Sequence, residues 1–178
     1  MPEIETSRLL LRLFTLDDFD DLFRLYSDPE VMRYLSRRTK EQTQISLYKH
    51  IEHWQTHNFG MWAVIHKETG MMIGRCGLGV LANTPEIELG YLFDKSYWYR
   101  GLATEAAIAT LKYGFGEINL DRIVAIARPQ NTASVRVIEK IGMKYQKDAY
   151  FYKFKVVYYS LEREAWHPDD SLYILRKS

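Results

Sequence analysis

The sequence is poor in the features that most often narrow a function. It contains one cysteine, Cys76, so no disulfide can form within the chain, and redox state places no limit on compartment. No stretch is apolar enough to span a bilayer, and the N-terminal residues lack the apolar core of a signal peptide. Neither sign of charge dominates. Lys and Arg total 24 against 23 Asp and Glu, a net charge of +1, which argues against bulk nucleic-acid or membrane binding. Repeats, low-complexity tracts and linkers are also missing. A cytoplasmic protein is the reading these absences leave. What is present suits one domain: 178 residues, 47% of them apolar, are enough to bury an ordinary core.

The pattern predicts alternating elements. Residues 8–14 read as a strand. Thr15 and Asp18 signal a helix start, with Phe19, Leu22, Phe23 and Tyr26 on one face. Asp28-Pro29 opens a short helix. Thr39 and Gln42 are spaced as a capping box for a helix carrying Ile45, Tyr48, Ile51 and Trp54, which Asn58-Phe59-Gly60 ends. Residues 61–66 and 71–81 form a hairpin, and 86–93 adds a third strand. Then follow a helix over 101–116, a strand over 122–127, a helix over 132–141, and strands near 143–148 and 150–163. That order implies a mixed α/β sheet rather than a fully wound parallel one.

Two stretches can carry chemistry. Tyr97-Trp98-Tyr99-Arg100-Gly101-Leu102-Ala103-Thr104-Glu105-Ala106 runs from a strand into a helix. Its glycine permits close backbone approach, and a helix N-terminus offers unpaired N–H groups to an anion such as phosphate. A plain strand-to-helix turn explains the same string. The strand over 86–93 puts Ile87, Leu89, Tyr91 and Phe93 on one face and Glu86, Glu88, Gly90 and Leu92 on the other. A partly desolvated glutamate could act as a general base. Solvated charges paired to Arg75 are the alternative. His50, His53 and His57 sit at helical spacing, but no cysteine or ordered acidic partner accompanies them, so no metal is expected. Trp54, Trp62, Tyr34 and Phe59 belong to a core or line a pocket. Among the later tyrosines, Tyr150 or Tyr152 could face a ligand.

In order along the chain, Thr6-Ser7-Arg8-Leu9-Leu10-Leu11-Arg12, Asp17-Asp18, Asp28-Pro29-Glu30-Val31, Glu86-Ile87-Glu88-Leu89-Gly90-Tyr91-Leu92-Phe93, the turn at Gly101, Asn131-Thr132-Ala133-Ser134 and Glu139-Lys140-Ile141-Gly142-Met143 resemble the GNAT N-acetyltransferases, and within them the RimJ/RimL type. The resemblance covers residues 6–166. It implies the GNAT fold, a mixed, mostly antiparallel central sheet flanked by helices and splayed between the strand 86–93 and the strand 122–127. It implies a single domain over 1–166 with a C-terminal extension over 167–178. The extension could cover the sheet, pair subunits into a homodimer, or be loose.

The same resemblance implies acetyl-CoA as co-substrate and an amine acceptor. Cofactor contacts fall to Leu92 and Phe93 at the splayed strand end, to the backbone of Arg100, Gly101, Leu102, Ala103 and Thr104, and to Asn131. Gly90 would permit a bulge at the splay. Glu88 falls in the string Glu-Leu-Gly-Tyr and becomes the implied base, with Glu86 as the other candidate. Ser134 is the implied assistant to the departing thiolate, because Ile138 stands where much of the superfamily carries a tyrosine acid. The turn departs from the broad pattern: Trp98 replaces a Gln or Arg, as in the RimJ/RimL type, while Tyr99 adds bulk, implying a tightly packed turn. The acceptor implied first is a protein N-terminal α-amine, possessing a lower pKa than lysine. Polyamines, amino acids and aminoglycosides are the same-class alternatives, and an acyl-CoA-binding module without turnover is the other class.

Overall fold

The computed structural model describes residues 1–178. Nine strands form one sheet: β1 Pro2–Glu5, β2 Leu9–Arg12, β3 Met61–His66, β4 Met72–Val80, β5 Ile87–Phe93, β6 Arg122–Ala127, β7 Lys144–Phe151, β8 Phe154–Glu162 and β9 Ile174–Lys177. Their order is β7-β8-β6-β5-β4-β3-β2-β1-β9. Every neighbouring pair is antiparallel except β5 and β6. The helices are α1 Phe19–Ser27, α2 Lys40–Thr56, α3 Leu102–Leu111 and α4 Thr132–Lys140. The element pattern implied a mixed α/β sheet, and the family resemblance a mostly antiparallel one flanked by helices; the sheet has both properties.

Helices cover both faces. On one, Leu22, Leu25 and Tyr26 of α1 and Leu47 of α2 meet Ala63, Met72 and Leu92. On the other, Ala106, Ala107 and Leu111 of α3 and Ile138 of α4 pack on Ile73, Cys76, Leu78, Leu89 and Phe93. Each fully buried leucine contributes about 1.5–3 kcal/mol. The small side chains of α3 let that helix lie close against the strands that form the site.

Several local expectations need correction. The capping box of α2 is present: the Gln42 N–H donates to Thr39 Oγ1 at 3.2 Å and the Thr39 N–H to Gln42 Oε1 at 2.9 Å. Its buried face, however, is Thr43, Leu47 and Trp54, while Ile45 and Tyr48 are exposed. Asp28-Pro29 starts turns rather than a helix. The Met32 N–H closes one helical bond to Asp28 O, and the bonds that follow tighten to three-residue spacing. The helix expected over 101–116 changes at Leu111 into a π-helical turn, Lys112–Glu117, where Gly114 is pressed against Ile123 of β6. The strand expected over 150–163 divides, because Tyr152 and Lys153 take φ of 52° and 68° and form the tight β7–β8 turn. Turns of that hand usually use Asn and Gly, so the aromatic run concealed it. Strand β1 and the edge strand β9, which pairs with it, are too short to announce themselves. The extension after Trp166 therefore carries a strand of the same sheet.

Candidate active site

Strands β5 and β6 run parallel but share one ladder position, Glu88 opposite Val124. Beyond it they part, leaving the β6-facing backbone of residues 89–93 without a neighbouring strand. The expected bulge at Gly90 is absent. The β4–β5 ladder runs unbroken from Gly74↔Phe93 to Val80↔Ile87, so the splay opens on the β6 side alone. A cleft of about 800 Å³ occupies it, lined by Glu88, Tyr91 and Leu92 of β5, Asn131 and Ser134 at the start of α4, and Arg75 of β4.

Glu88 is the only carboxylate lining this cleft. Burial pushes its carboxyl up to about 7 from the ordinary 4.5, with the nearby positive charge of Arg75 opposing the rise. It makes no ion pair. Glu86, its alternative, lies 3.4 Å from the Arg122 guanidinium and does not line the cleft. A carboxylate poised near neutrality, in a cleft and without a fixed partner, can accept a proton from an incoming nucleophile.

Ser134 faces Glu88's strand from α4. The Asn131 side chain caps that helix, accepting the Ser134 N–H at 3.2 Å. The Tyr91 hydroxyl donates to the Ser134 carbonyl at 3.2 Å and lies 3.0 Å from Ser134 Oγ. Burial raises Tyr91 to about 12, so it stays protonated. This pair was not foreseen, since Tyr91 reads as one more apolar-face residue of β5. The available signal was chemical: a tyrosine buried on a sheet face needs a partner for its hydroxyl. Ile138 is buried beneath Ser134 in the core and offers no hydroxyl, as the sequence requires.

The turn before α3 is a second polar feature. Gly101 caps α3 with φ 76° and no side-chain hydrogen bond. The one acid of the first turn, Glu105, is engaged elsewhere. Burial opposes its charge, but hydrogen bonds from Thr6 Oγ1 and from the backbone and side chain of Arg8 hold its carboxyl below the usual range. The N–H groups of Leu102, Ala103 and Thr104 therefore keep the electropositive helix end open to an anion. Arg100 lies over the Tyr97 ring at 5.1 Å, and its carbonyl accepts from Arg8. Tyr99 is 95% exposed at φ 62°, so its bulk points outward and the turn is not tightly packed as expected. Thr104 faces a separate hollow of about 210 Å³ beside Thr6 and Ser171. Phe93 is buried, with its carbonyl bonded by Trp98 Nε1 at 2.8 Å. The structure thus brings Glu88, Leu92, Asn131 and Ser134 to one cleft and leaves the Arg100–Thr104 backbone as a distinct helix-end site.

The remaining candidates separate. His50 lines the cleft, stacks on Phe14 and lies 3.2 Å from the Tyr26 hydroxyl. His53 and His57 stack on each other with centroids 4.1 Å apart. No group of three or more His, Cys, Asp or Glu is placed to hold a metal ion. Trp54, Trp62 and Phe59 are core, whereas Tyr34 and Tyr152 line the cleft and Tyr150 does not. Cys76 is fully buried against Thr110, and burial pushes its thiol up to about 12. It supplies no thiolate for covalent transfer.

Residues 8–144 match the family model described as an acetyltransferase (GNAT) domain. The chain belongs to the GNAT acetyltransferases. It is 32% identical over 174 residues to the N-acetyltransferase YnaD of Bacillus subtilis, covering 92% of this chain and 99% of that one. A GNAT-family acetyltransferase from Bacillus anthracis superposes with a TM-score of 0.79 at 32% identity, over 91% of this chain and 99% of that chain. The ribosomal-protein-S5-alanine acetyltransferase of Vibrio fischeri shares the fold with a TM-score of 0.78 at 20% identity, over 93% and 99% of the two chains. GNAT acetyltransferases use acetyl-CoA and act on amine acceptors. The β5–β6 splay and the start of α3, which has no side-chain cap, fit that co-substrate. No helix of this acetyltransferase is long and apolar enough to cross a membrane.

Proposed function

We propose that this GNAT enzyme, of RimJ/RimL type and cytoplasmic, transfers acetyl directly from acetyl-CoA to a primary α-amine, with a protein N-terminus as the first acceptor class. The observation that carries the reading is Glu88, the sole carboxylate of the cleft, held near neutrality at the parting of β5 and β6. Bound acetyl-CoA supplies the thioester, its phosphates held by the backbone of residues 100–104 and its pantetheine arm by Leu92, Phe93 and Asn131. Glu88 takes the proton of the attacking amine, directly or through one water. With the thioester bound, the Tyr91 hydroxyl turns its proton to Ser134 Oγ, 3.0 Å away, which frees the Ser134 hydroxyl proton to hydrogen-bond the departing sulfur. A thiol with a pKa of about 8.5 leaves readily, so this assistance is modest. An α-amine, with a pKa of about 7.7–8.0, matches a base near 7 better than a lysine at about 10.4. The guanidinium-rich cleft wall disfavours polyamines and aminoglycosides, which are polycations.

A broad acceptor screen, read by release of free CoA thiol, tests the reading. Peptides with a free N-terminus are expected to outrun the same peptides blocked there but carrying lysine. Faster reaction of blocked peptides or polyamines would overturn the acceptor class.

Two further results are expected. Tyr91→Phe and Ser134→Ala each slow turnover roughly 3- to 10-fold without weakening acetyl-CoA binding, as loss of one hydrogen bond predicts. The double variant is no slower than the worse single one, because both act through Ser134 Oγ. Additive losses would separate the two residues. Acetyl-CoA at ~100 times its Kd should add ~2.7 kcal/mol of stability, about 5–10 °C in Tm for a chain this size. Equal protection by pantetheine, which lacks the nucleotide phosphates, would remove the phosphate role from the α3 turn.

A further inference from the structure

Arginines crowd the cleft without carboxylate partners. Arg37, Arg38, Arg75 and Arg128 line it, against the single acid Glu88. None of the four forms an ion pair, whereas Arg8, Arg12, Arg24, Arg122, Arg163 and Arg176 all do so elsewhere. Arg37 is exposed and Arg128 lies over the Phe154 ring at 4.3 Å, while the other two share one anchor. Arg38 and Arg75 both pack on one fully buried ring, Tyr26, with guanidinium carbons 4.2 and 5.6 Å from its centroid. Arg38 is held further by Ser46 Oγ at 2.8 Å. Arg75 has a buried Nε with no hydrogen-bond partner, and its Nη1 reaches only the sulfur of Met61 at 3.9 Å. A buried donor left unmet costs free energy, and a half-buried guanidinium without an ion pair carries a charge that an anion in the cleft would offset.

The sheet register sets these cations beside the base. Arg75 is opposite Leu92, Gly77 opposite Gly90, and Gly79 opposite Glu88. All six share a face, so only glycines and the Met61 methyl, which sits over Gly90, lie between Arg75 and Glu88. An amine delivered to Glu88 would find Arg75 at the other end of a short trough. His50, within reach of both guanidiniums, is kept neutral by burial and by their charge, so it adds no competing cation.

We infer that Arg75 and Arg38 form a subsite for a carboxylate carried by the acceptor itself, a short distance from the amine that is acetylated. The inference rests on the cleft being the acceptor site. The carboxylate has two sources, the main-chain carboxylate of a free amino acid or an acidic side chain near a polypeptide N-terminus. Guanidinium pairs suit it through bidentate hydrogen bonds.

The test uses matched acceptors with acetyl-CoA: Ala-Glu against Ala-Gln tetrapeptide amides, and alanine against alaninamide. One matched pair is expected to favour its carboxylate member by about 10- to 100-fold in kcat/KM, the range for a hydrogen bond to a charged group. Preference in the peptide pair identifies a polypeptide source, and preference in the alanine pair a free amino acid. Arg75→Gln should collapse the preference to within about 2- to 3-fold, while Arg75→Lys keeps part of it and acetyl-CoA affinity stays unchanged. Calorimetry on the N-acetylated products, which needs no turnover, should show tighter binding of the same carboxylate member, lost in Arg75→Gln and in Arg38→Gln. Equal rates within both pairs, or variants that slow both members alike, would overturn the subsite while leaving the acetyltransfer reading intact. Absence of thiol release with every amine would overturn that reading instead, and the product-binding comparison would then decide the subsite alone.

Discussion

Glu88→Gln is expected to lower turnover ~10²–10⁴-fold with acetyl-CoA binding intact, the usual span for removal of a general base. The same substitution should make the protein more stable at pH 8. The reason is the direction of the pKa shift. Burial holds the Glu88 carboxyl near 7 when folded, above its ordinary 4.5. The folded chain therefore binds this proton more tightly than the unfolded chain. The resulting stabilisation is complete below about pH 4.5, fades as pH rises through about 7, and is gone above it. At pH 8 the carboxylate is a half-buried charge without an ion-pair partner, and a neutral glutamine relieves it. A gain on the order of 2–3 kcal/mol follows from the shift, disappearing near pH 4. Thermal melts of both proteins at pH 4 and pH 8 check it. Lower stability of the variant at pH 8 would mean that Glu88 is a structural residue. Gain of stability with loss of rate is the signature of a site that holds strain for function.

The second large effect concerns the glycines beneath the cleft. A Cβ on Gly77 would lie 2.1 Å from the Gly60 carbonyl oxygen and 2.8 Å from Met61 Cα. Both are backbone atoms of the neighbouring strand region and cannot swing aside. Gly77→Ala must therefore push β3 from β4, at a cost of about 3 kcal/mol or more, enough to unfold a marginal domain. A Cβ on Gly90 meets only the Met61 methyl, at 3.1 Å, which is the end of a flexible side chain. Gly90→Ala should fold and raise the acceptor KM by narrowing the trough. Gly79 has nothing within 4 Å of its added Cβ, so Gly79→Ala serves as the control with near-native stability. Denaturant melts of the three variants check the order. Equal stability of Gly77→Ala and Gly79→Ala would show that β3 and β4 are not so closely apposed.

Much of the fold was legible because its signals are local. Alternation along β5 put Glu88 and Tyr91 on opposite faces, and the structure separates them that way: Leu92 packs with α1 and α2, while Leu89 and Phe93 pack with α3 and α4. The Thr39–Gln42 box marked the start of α2 because both partners lie within one turn. Other features depend on residues distant in sequence. Nothing near Tyr91 announces Ser134, 43 positions away, nor does Arg75 declare that it will lack a carboxylate. The Tyr152–Lys153 turn was hidden because tertiary contacts, including the Ala82 N–H donated to the Tyr152 hydroxyl at 2.9 Å, hold two residues in a conformation they rarely choose. The exposed face of α2 misled for a related reason. Ile45 looks like core by spacing, yet it borders the cleft, where an apolar side chain is available to a ligand.

The central claim is that Glu88 removes the proton of an attacking amine. Its most direct test is kcat/KM against pH for one α-amine peptide, with the wild-type protein and with Glu88→Gln. The wild-type logarithmic profile should fall with a slope of about two at low pH, since both the enzyme base near 7 and the amine must lose a proton. The variant should fall with a slope of about one, set by the amine alone. Parallel profiles of slope one in both proteins would contradict the account, because they would show that no group on the enzyme with the pKa of Glu88 takes part.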